Sequence, residues 1–330
     1  MRTTELLIGT TNSARARIAA LALLSLYERV QRSPRLQVGL LLGSGDSDVA
    51  GMRVPLLVGK KKLHFGFANP AGLARMALLG KGIYKRPIPL RAVGVFPTWD
   101  RLVFAVRKDT GLRSLEEIKA RKYPLRVSTR KGDRFHSTLF AIDRLLEQHG
   151  FTLADIQRWG GKILRASSPR SPERAGHIEK GAADAVFDEG IKSWGPLALK
   201  AGMRFLPVGE AVLRKMRALG FPSAPLTPEH YPELEETITT LDFSGWLFFC
   251  HRDLPGEAAY KMAEAIDLCH SQIPVDGLGR KTMTMREFCQ GGDAGPLTIP
   301  LHLGARRYYR AKGYLEKEMG FSSRERQRDR

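Results

Sequence analysis

The sequence predicts an α/β protein of two lobes, the second inserted into the first. Three observations carry this. Short apolar runs alternate with helical stretches from the start of the chain, the pattern of helix-flanked, mainly parallel sheets. The alternation is interrupted once, by a strand-rich stretch from Leu90 to Arg107, and then restarts. Finally, 330 residues are many for one domain.

Taken in order, Leu6-Leu7-Ile8-Gly9 forms a short strand bounded by Thr10-Thr11-Asn12-Ser13. Helical periodicity follows to about Gln31, where Ser33-Pro34 breaks it. Leu36 to Leu42 is a second strand, entering the loop Gly43-Ser44-Gly45-Asp46-Ser47. A helix comes next, and His64 to Ala68 is a third strand leading to Asn69-Pro70. Phe96-Pro97-Thr98-Trp99 reads as a turn and Leu102 to Val106 as a strong strand.

In the restarted pattern, Ser114-Leu115-Glu116-Glu117 is a capping-box sequence ahead of a short helix. Leu125 to Val127 is a strand, Ser128 to Asp133 a polar loop, and Ser137 to His149 a helix closed by Gly150. Ala183 to Phe187 is a strand ending in Asp188-Glu189-Gly190. Leu241 to Cys250 is one more apolar strand run, followed by a helix over Gly256 to His270. The expected division is residues 1–105 and 243–330 for the first lobe and 106–242 for the second. The chain crosses outward near 101–109 and returns near 240–250, and the basic segment 322–330 is expected to be a disordered tail.

A hydrophobic content of 43% and a charged content of 26% are those of a soluble globular chain. Lys and Arg number 53 against 34 Asp and Glu, a net charge of +19 that attracts anions of any size. Much of the excess is scattered (Lys60 to Lys62, Arg204, Arg306, Arg307), and no zinc-ligand pairs, aromatic RNA-binding signature or basic zipper is present, so nucleic acid is not the expected partner. Cys250, Cys269 and Cys289 are odd in number and widely spaced, which argues against a disulfide framework and fits a reducing compartment. Arg15 and Arg17 before the apolar run Ile18 to Leu26 superficially resemble a signal peptide. No small-residue cleavage site follows, and a strand-like run, Glu5 to Ile8, lies upstream. The expectation is a cytoplasmic chain as written, periplasmic if an upstream start supplies an export signal. No run approaches the roughly 20 apolar residues of a membrane span, so no direct membrane insertion is expected.

In open α/β sheets, ligands sit outside the carboxyl ends of the strands. Thr10 to Ser13, Ser44 to Ser47 and Ser128 to Ser137 have that placement, offering hydroxyls and N–H groups where helix dipoles favour a negative charge. The alternative for each loop is simple helix capping. Arg130 or Arg134 matches a carboxylate as a two-pronged clamp, with Lys131 beside them. His136 is a candidate proton shuttle. Asp188 and Glu189, at a strand end, are placed to accept hydrogen bonds from a ligand; neighbours in extended chain face opposite ways, so the modest reading is one facing the cleft and one salt-bridged. Trp99, Trp194 and Trp246 are candidates for aromatic cleft walls or for core packing. The candidate ligand set is thus Thr10, Thr11, Asn12, Ser13, Ser44, Asp46, Ser47, Asn69, Trp99, Ser128, Arg130, Arg134, His136, Asp188 and Glu189. The sequence holds no phosphate loop, dinucleotide fingerprint, Gly-x-Ser-x-Gly elbow or His-Glu-x-x-His pair. Neither cofactor nor metal is therefore expected, and no nucleophile–base pair is legible.

Several soft motifs in order then resemble one family. They are Leu7-Ile8-Gly9-Thr10-Thr11-Asn12-Ser13, Leu90-Arg91-Ala92-Val93, Val103-Phe104-Ala105-Val106-Arg107-Lys108-Asp109-Thr110-Gly111-Leu112-Arg113-Ser114-Leu115, Glu179-Lys180-Gly181-Ala182-Ala183-Asp184-Ala185-Val186-Phe187, Ile299-Pro300-Leu301-His302 and Gly304-Ala305-Arg306-Arg307-Tyr308-Tyr309. Together they resemble the TAXI-type solute receptors of TRAP transporters, within the type II periplasmic-binding-protein superfamily. The resemblance implies two hinged lobes, a small organic anion such as a dicarboxylate or amino acid in the interlobe cleft, and membrane transporter subunits as partners. It maps the family's first and second ligand loops onto Thr10 to Ser13 and Ser44 to Ser47. The chain departs from the family in reading Gly-Ser-Gly-Asp-Ser in the second loop and Arg130-Lys131-Gly132-Asp133-Arg134 in the inserted-lobe loop. The same superfamily fold also serves cytoplasmic enzymes on small acids, such as decarboxylases, for which His136, Asp188 and Glu189 are the candidate participants, and it serves ligand sensors.

Overall fold

The computed structural model describes residues 4–11, 13–30, 36–43, 51–273 and 282–316. The first lobe begins with β1 (Thr4–Thr11), α1 (Ser13–Val30), β2 (Leu36–Gly43), α2 (Val54–Gly59), β3 (Phe65–Ala68), α3 (Gly72–Leu78) and β4 (Leu90–Phe96). In α1, Ile18, Ala19, Ala22, Leu23 and Leu26 are buried, a spacing that puts them on one helical face. β3 is buried along its whole length, as a central strand covered on both sides must be.

The second lobe runs through β5 (Arg101–Arg107), α4 (Leu115–Ala120), β6 (Arg126–Arg130), α5 (Ser137–Gln148), α6 (Leu153–Arg158), β7 (Lys162–Ala166), α7 (Pro172–Glu179), β8 (Ala185–Asp188) and α8 (Ile191–Lys200). It continues with β9 (Met203–Leu206), α9 (Glu210–Leu219), β10 (Ser223–Leu226) and β11 (Ile238–Asp242). The chain then returns to the first lobe as β12 (Trp246–His251), α10 (Gly256–Cys269), α11 (Met285–Gln290) and α12 (Leu303–Ala311).

The strands form two sheets, β2-β1-β3-β12-β4 and β10-β11-β5-β8-β6-β7, with β9 also on β5. This is the two-lobed, helix-flanked α/β fold the sequence predicts. The sheets are more mixed than expected. β1 pairs in parallel with β2 and β3, and β6 with β7 and β8. The strands on either side of the two crossings pair antiparallel: β12 with β3 and β4, and β5 with β8, β9 and β11. The inserted lobe accounts for two of these pairings, β4 with β12 and β5 with β11, because the chain enters and leaves the second sheet in opposite directions.

The sheet change falls at residues 97–100, since β5 lies whole in the second sheet, and the return falls at 243–245. The expected single strand from Leu241 to Cys250 is therefore two strands in different sheets. The two connections are tied side by side. Phe243 N–H donates to the Asp100 carbonyl at 3.1 Å and Gly245 N–H to the Thr98 carbonyl at 2.8 Å. Buried Arg101 donates to Asp242 at 2.9 Å and to Ser244 Oγ at 2.8 Å. Gly245, at φ +81, takes a turn an L side chain resists, and a Cβ there meets Gly295 Cα at 2.8 Å.

Two further expectations change. β6 continues through Ser128, Thr129 and Arg130, all buried, where a polar loop was expected; the Ser128 hydroxyl and the Arg130 guanidinium serve contacts inside the lobe described below. Ser114 Oγ does accept the Glu117 N–H at 3.2 Å, but the Glu117 carboxylate takes the Arg113 N–H, not that of Ser114, so the box is not closed. All three cysteines are buried and free. No helix among the described residues is long and apolar enough to cross a membrane.

Candidate functional site

A cleft of about 590 Å³ lies between the sheets. Thr10, Ala14, Arg15, Gly51, Val54, Phe67, Asn69 and Trp246 line it from the first lobe. Arg130, His136, Ser137, Thr138, Ser167 to Arg170, Glu189, Gly190, Lys192 and Ser193 line it from the second, and Thr98, Trp99, Asp100 and Phe243 come from the paired connections. The placement follows from strand direction. β1, β3, β6, β7 and β8 all end at the cleft, and α1, α5, α7 and α8 start there, so each helix directs the positive end of its dipole towards it.

The acidic floor is built by Asp100 and Glu189. Asp100 accepts from the N–H groups of Arg101 (2.8 Å), Gly190 (2.9 Å) and Ile191 (3.2 Å), so it caps α8 from across the crossing. Gly190 fits because it stands at φ +70, where a Cβ meets Pro169 at 2.5 Å. The Asp100 carboxyl also shares a hydrogen bond with that of Glu189. Burial and the Glu189 charge push Asp100 well above the usual carboxylate range. Glu189 moves the other way, because Arg130, the Asp100 hydrogen bond, His136 and Arg15 together outweigh its burial. The two shifts point opposite ways, so as pH falls Asp100 is the member that takes up a proton first and Glu189 the one that keeps its charge.

Behind Glu189 stands a buried ion network. Asp188, with no exposed surface, accepts from Arg130 Nη2 at 3.2 Å and Arg174 Nη2 at 2.6 Å, and from the Glu189 N–H at 2.9 Å. Arg130 also pairs with Glu189, and Arg174 also donates to Ser128 Oγ, which bonds His177 Nδ1 at 2.8 Å. Burial raises the Asp188 carboxyl while the two guanidiniums lower it.

Among the described residues, four cations line the cleft, Arg15, Arg130, Arg170 and Lys192, with Arg130 already paired to Asp188 and Glu189. Arg15 lies over the Trp246 ring at 5.3 Å; burial lowers its guanidinium to about 10 and Glu189 opposes that, so it stays charged at neutral pH. Arg170 is oriented by a 3.1 Å bond from its Nε to Ser193 Oγ.

Of the residues expected to bind ligand, Thr10, Asn69, Trp99, Arg130, His136 and Glu189 line this cleft. Ser128 and Asp188 do not: both point into the second lobe and act through Arg130 and Arg174. Arg134 is exposed and lies over the Phe135 ring at 4.9 Å, because the turn after the longer β6 carries it away from the cleft. Thr11 and Ser13 flank the end of β1 and the start of α1. Asn12, Ser44, Asp46 and Ser47 lie outside the described residues, as does the tail 322–330. Trp194 is a core residue whose Nε1–H bonds the Glu189 carbonyl at 2.9 Å, whereas Trp246 is a cleft wall. Sequence reading missed Arg15, Asp100, Arg170 and Lys192 as cleft residues. Their signal was position alone, just after a strand or at the start of a helix.

The raised Asp100 carboxyl sets a pH dependence of stability. The unfolded chain releases this proton near pH 4 and the native protein keeps it to higher pH, so native protein loses stability as pH rises through that interval. Asp100→Asn mimics the protonated form and is expected to flatten this decline. Melting temperatures of both proteins from pH 4 to 9 check it: parallel profiles contradict the shared proton.

This is a two-lobed α/β protein with a cation-lined interlobe cleft. The chain belongs to the NMT1-like family, whose model matches residues 50–313. The match is to this family, not to the TAXI receptors whose motifs the sequence resembles. Among curated proteins none matches. Similar solved structures include the alkanesulfonate-binding protein SsuA from Xanthomonas axonopodis pv. citri bound to MOPS, at 18% identity over 82% of this chain and 76% of that one, with a TM-score of 0.37. R. palustris Rpa4515 with adipate is 16% identical over 81% and 82%, TM-score 0.39. PhnD1 from Prochlorococcus marinus in complex with methylphosphonate is 10% identical over 95% and 99%, TM-score 0.42.

Proposed function

We propose that this chain binds a small organic anion, a carboxylate, between its lobes, and serves as the solute-binding subunit of a TRAP-type transport system. The observation that carries the reading is the cleft's charge. Among the described residues, four cations drawn from both lobes line the cleft beside the Asp100–Glu189 pair, in a volume that suits a small molecule. A carboxylate placed among them gains charge-assisted hydrogen bonds and the dipoles of several helix starts. Glu189 and the serine and threonine hydroxyls give the rest of the ligand acceptors for its own N–H or O–H groups. The residues on either side of the paired connections at 97–100 and 243–245 act as two units that close on the ligand. The order of sequence motifs supports the transport assignment, with a membrane transporter as partner and a periplasmic location.

A thermal-shift panel tests the reading. Carboxylates are set against their neutral amides, and a ligand at 100 times its dissociation constant stabilises the protein by about 2.7 kcal/mol. At least one acid is expected to raise the melting temperature by several degrees while its amide does not. Equal shifts from acid and amide, or none from any acid, reject it. Turnover of a bound acid replaces the transport reading with an enzymatic one.

A further inference from the structure

A second charged surface lies at the pole of the first lobe opposite the cleft. The cleft is at the ends of β1 and β3, so the starts of these strands mark the far edge. β12 runs antiparallel to β3 and finishes there, with Cys250 opposite Phe65, and β4 starts there, with Leu90 opposite His251. The segments joined to these strand ends therefore share one pole: 60–62 before β3, 85–91 leading into β4, 252–257 after β12, and the start of α12. Direct contacts tie them together. His302 Nε2 lies 3.0 Å from the Arg252 carbonyl, the Arg252 N–H donates to the Pro89 carbonyl at 2.6 Å, and Lys61 pairs with Asp253 at 3.9 Å.

This pole is strongly basic. Segments 60–62, 85–91, 252–257 and 302–307 carry nine Lys and Arg against only Asp253 and Glu257. Twenty-two residues thus hold a net +7 of the chain's +19. Both acids are already engaged, Asp253 with Lys61 and Arg252, and Glu257 with Arg307 at 2.9 Å. Lys60, Lys61, Lys62, Lys85, Arg86 and Arg252 are all exposed. In their midst Leu303, the first residue of α12, is 65% exposed. The cations are spread along the edge formed by β3, β12 and β4, about 10 Å at the usual strand spacing, and do not converge on one point. Such a face matches an extended negative surface better than one small anion, and a projecting leucine among lysines and arginines suits the headgroup layer of a bilayer.

We infer that this pole docks on membrane surfaces rich in acidic phospholipid, holding the protein with its cleft directed away from the bilayer. The inference is independent of which ligand the cleft takes. Sedimentation with vesicles tests it, using phosphatidylglycerol mixed into phosphatidylcholine against phosphatidylcholine alone, at about 0.1 M salt, where screening reaches about 10 Å. The protein is expected to bind the acidic vesicles, to ignore the neutral ones and to be released by high salt. Removing three charges in Lys60→Gln/Lys62→Gln/Arg252→Gln is expected to weaken binding roughly 100-fold, at about fivefold per basic residue. Removing three exposed lysines of the other lobe, in Lys119→Gln/Lys162→Gln/Lys180→Gln, should leave binding within a few-fold. Leu303→Ser, which alters no charge, should weaken it several-fold. Absence of binding to acidic vesicles, or equal losses in the two triple variants, overturns the inference. So does a pole variant that keeps vesicle binding and loses only binding to a DNA duplex.

Discussion

Asp188→Asn is expected to lower the unfolding free energy by about 3–5 kcal/mol, the usual cost of removing one partner from a buried ion network. The carboxylate has no exposed surface and is the acceptor on which the Arg130 and Arg174 guanidiniums converge. Arg174, 1% exposed, is left with neutral acceptors, Ser128 Oγ and the new amide oxygen, so its charge is buried without a paired counter-charge. The whole stability of such a protein is about 5–15 kcal/mol, so the change should be plain in denaturant unfolding. A coupled pair also has a signature. The double variant Asp188→Leu/Arg174→Met should lose less than Asp188→Leu alone, because no orphan charge remains. A loss under 1 kcal/mol in Asp188→Asn, or strict additivity in the double variant, contradicts the network. Arg134→Ala, at the exposed arginine over Phe135, is expected within about 0.5 kcal/mol of the unaltered protein.

Arg15→Glu has the largest expected effect on binding, roughly 100-fold in the dissociation constant of whichever acid the cleft takes. Arg15 is the cation the first lobe places in the cleft, held over Trp246 and facing the Glu189 charge. At an effective dielectric constant near 20, one charge pair about 5 Å apart is worth about 3 kcal/mol, before desolvation reduces it. Reversing the sign exchanges that attraction for repulsion and adds a second carboxylate beside Glu189. Titration calorimetry checks it, and folding is verified by the unfolding midpoint. Because burial lowers this guanidinium to about 10, binding by the unaltered protein should also weaken as pH rises through that value. Affinity unchanged by the reversal contradicts an anion held by both lobes.

The layered fold was legible because strand and helix periodicities are local, and most strands lie within a few residues of their apolar runs. The cleft positions that could be read lie at or beyond the ends of such strands: Thr10 at the end of β1, Asn69 after β3, Glu189 after β8 and His136 in the loop from β6 to α5. What escaped depended on distance in sequence. Asp100 gains its role from Gly190, ninety positions away. Ser128 and Arg130 read as loop because polar residues weaken the strand pattern, yet Arg174 and Asp188 supply the partners that let them be buried. β7, Lys-Ile-Leu-Arg-Ala, is too polar to stand out as a strand, so the Ser167 to Arg170 loop was not recognised as a strand-end loop. The basic pole is likewise assembled from four segments whose charges look scattered in sequence.

Hydrogen exchange measured with and without the acid that gives the largest thermal shift locates the site directly. Slowed exchange is expected together in the end of β1 and the first turn of α1, in the crossing 97–100, in the loop 167–170 and at 189–193, the start of α8. Protection confined to one lobe, or found only on outer surfaces with these segments unchanged, would show that the facing halves do not jointly hold the anion.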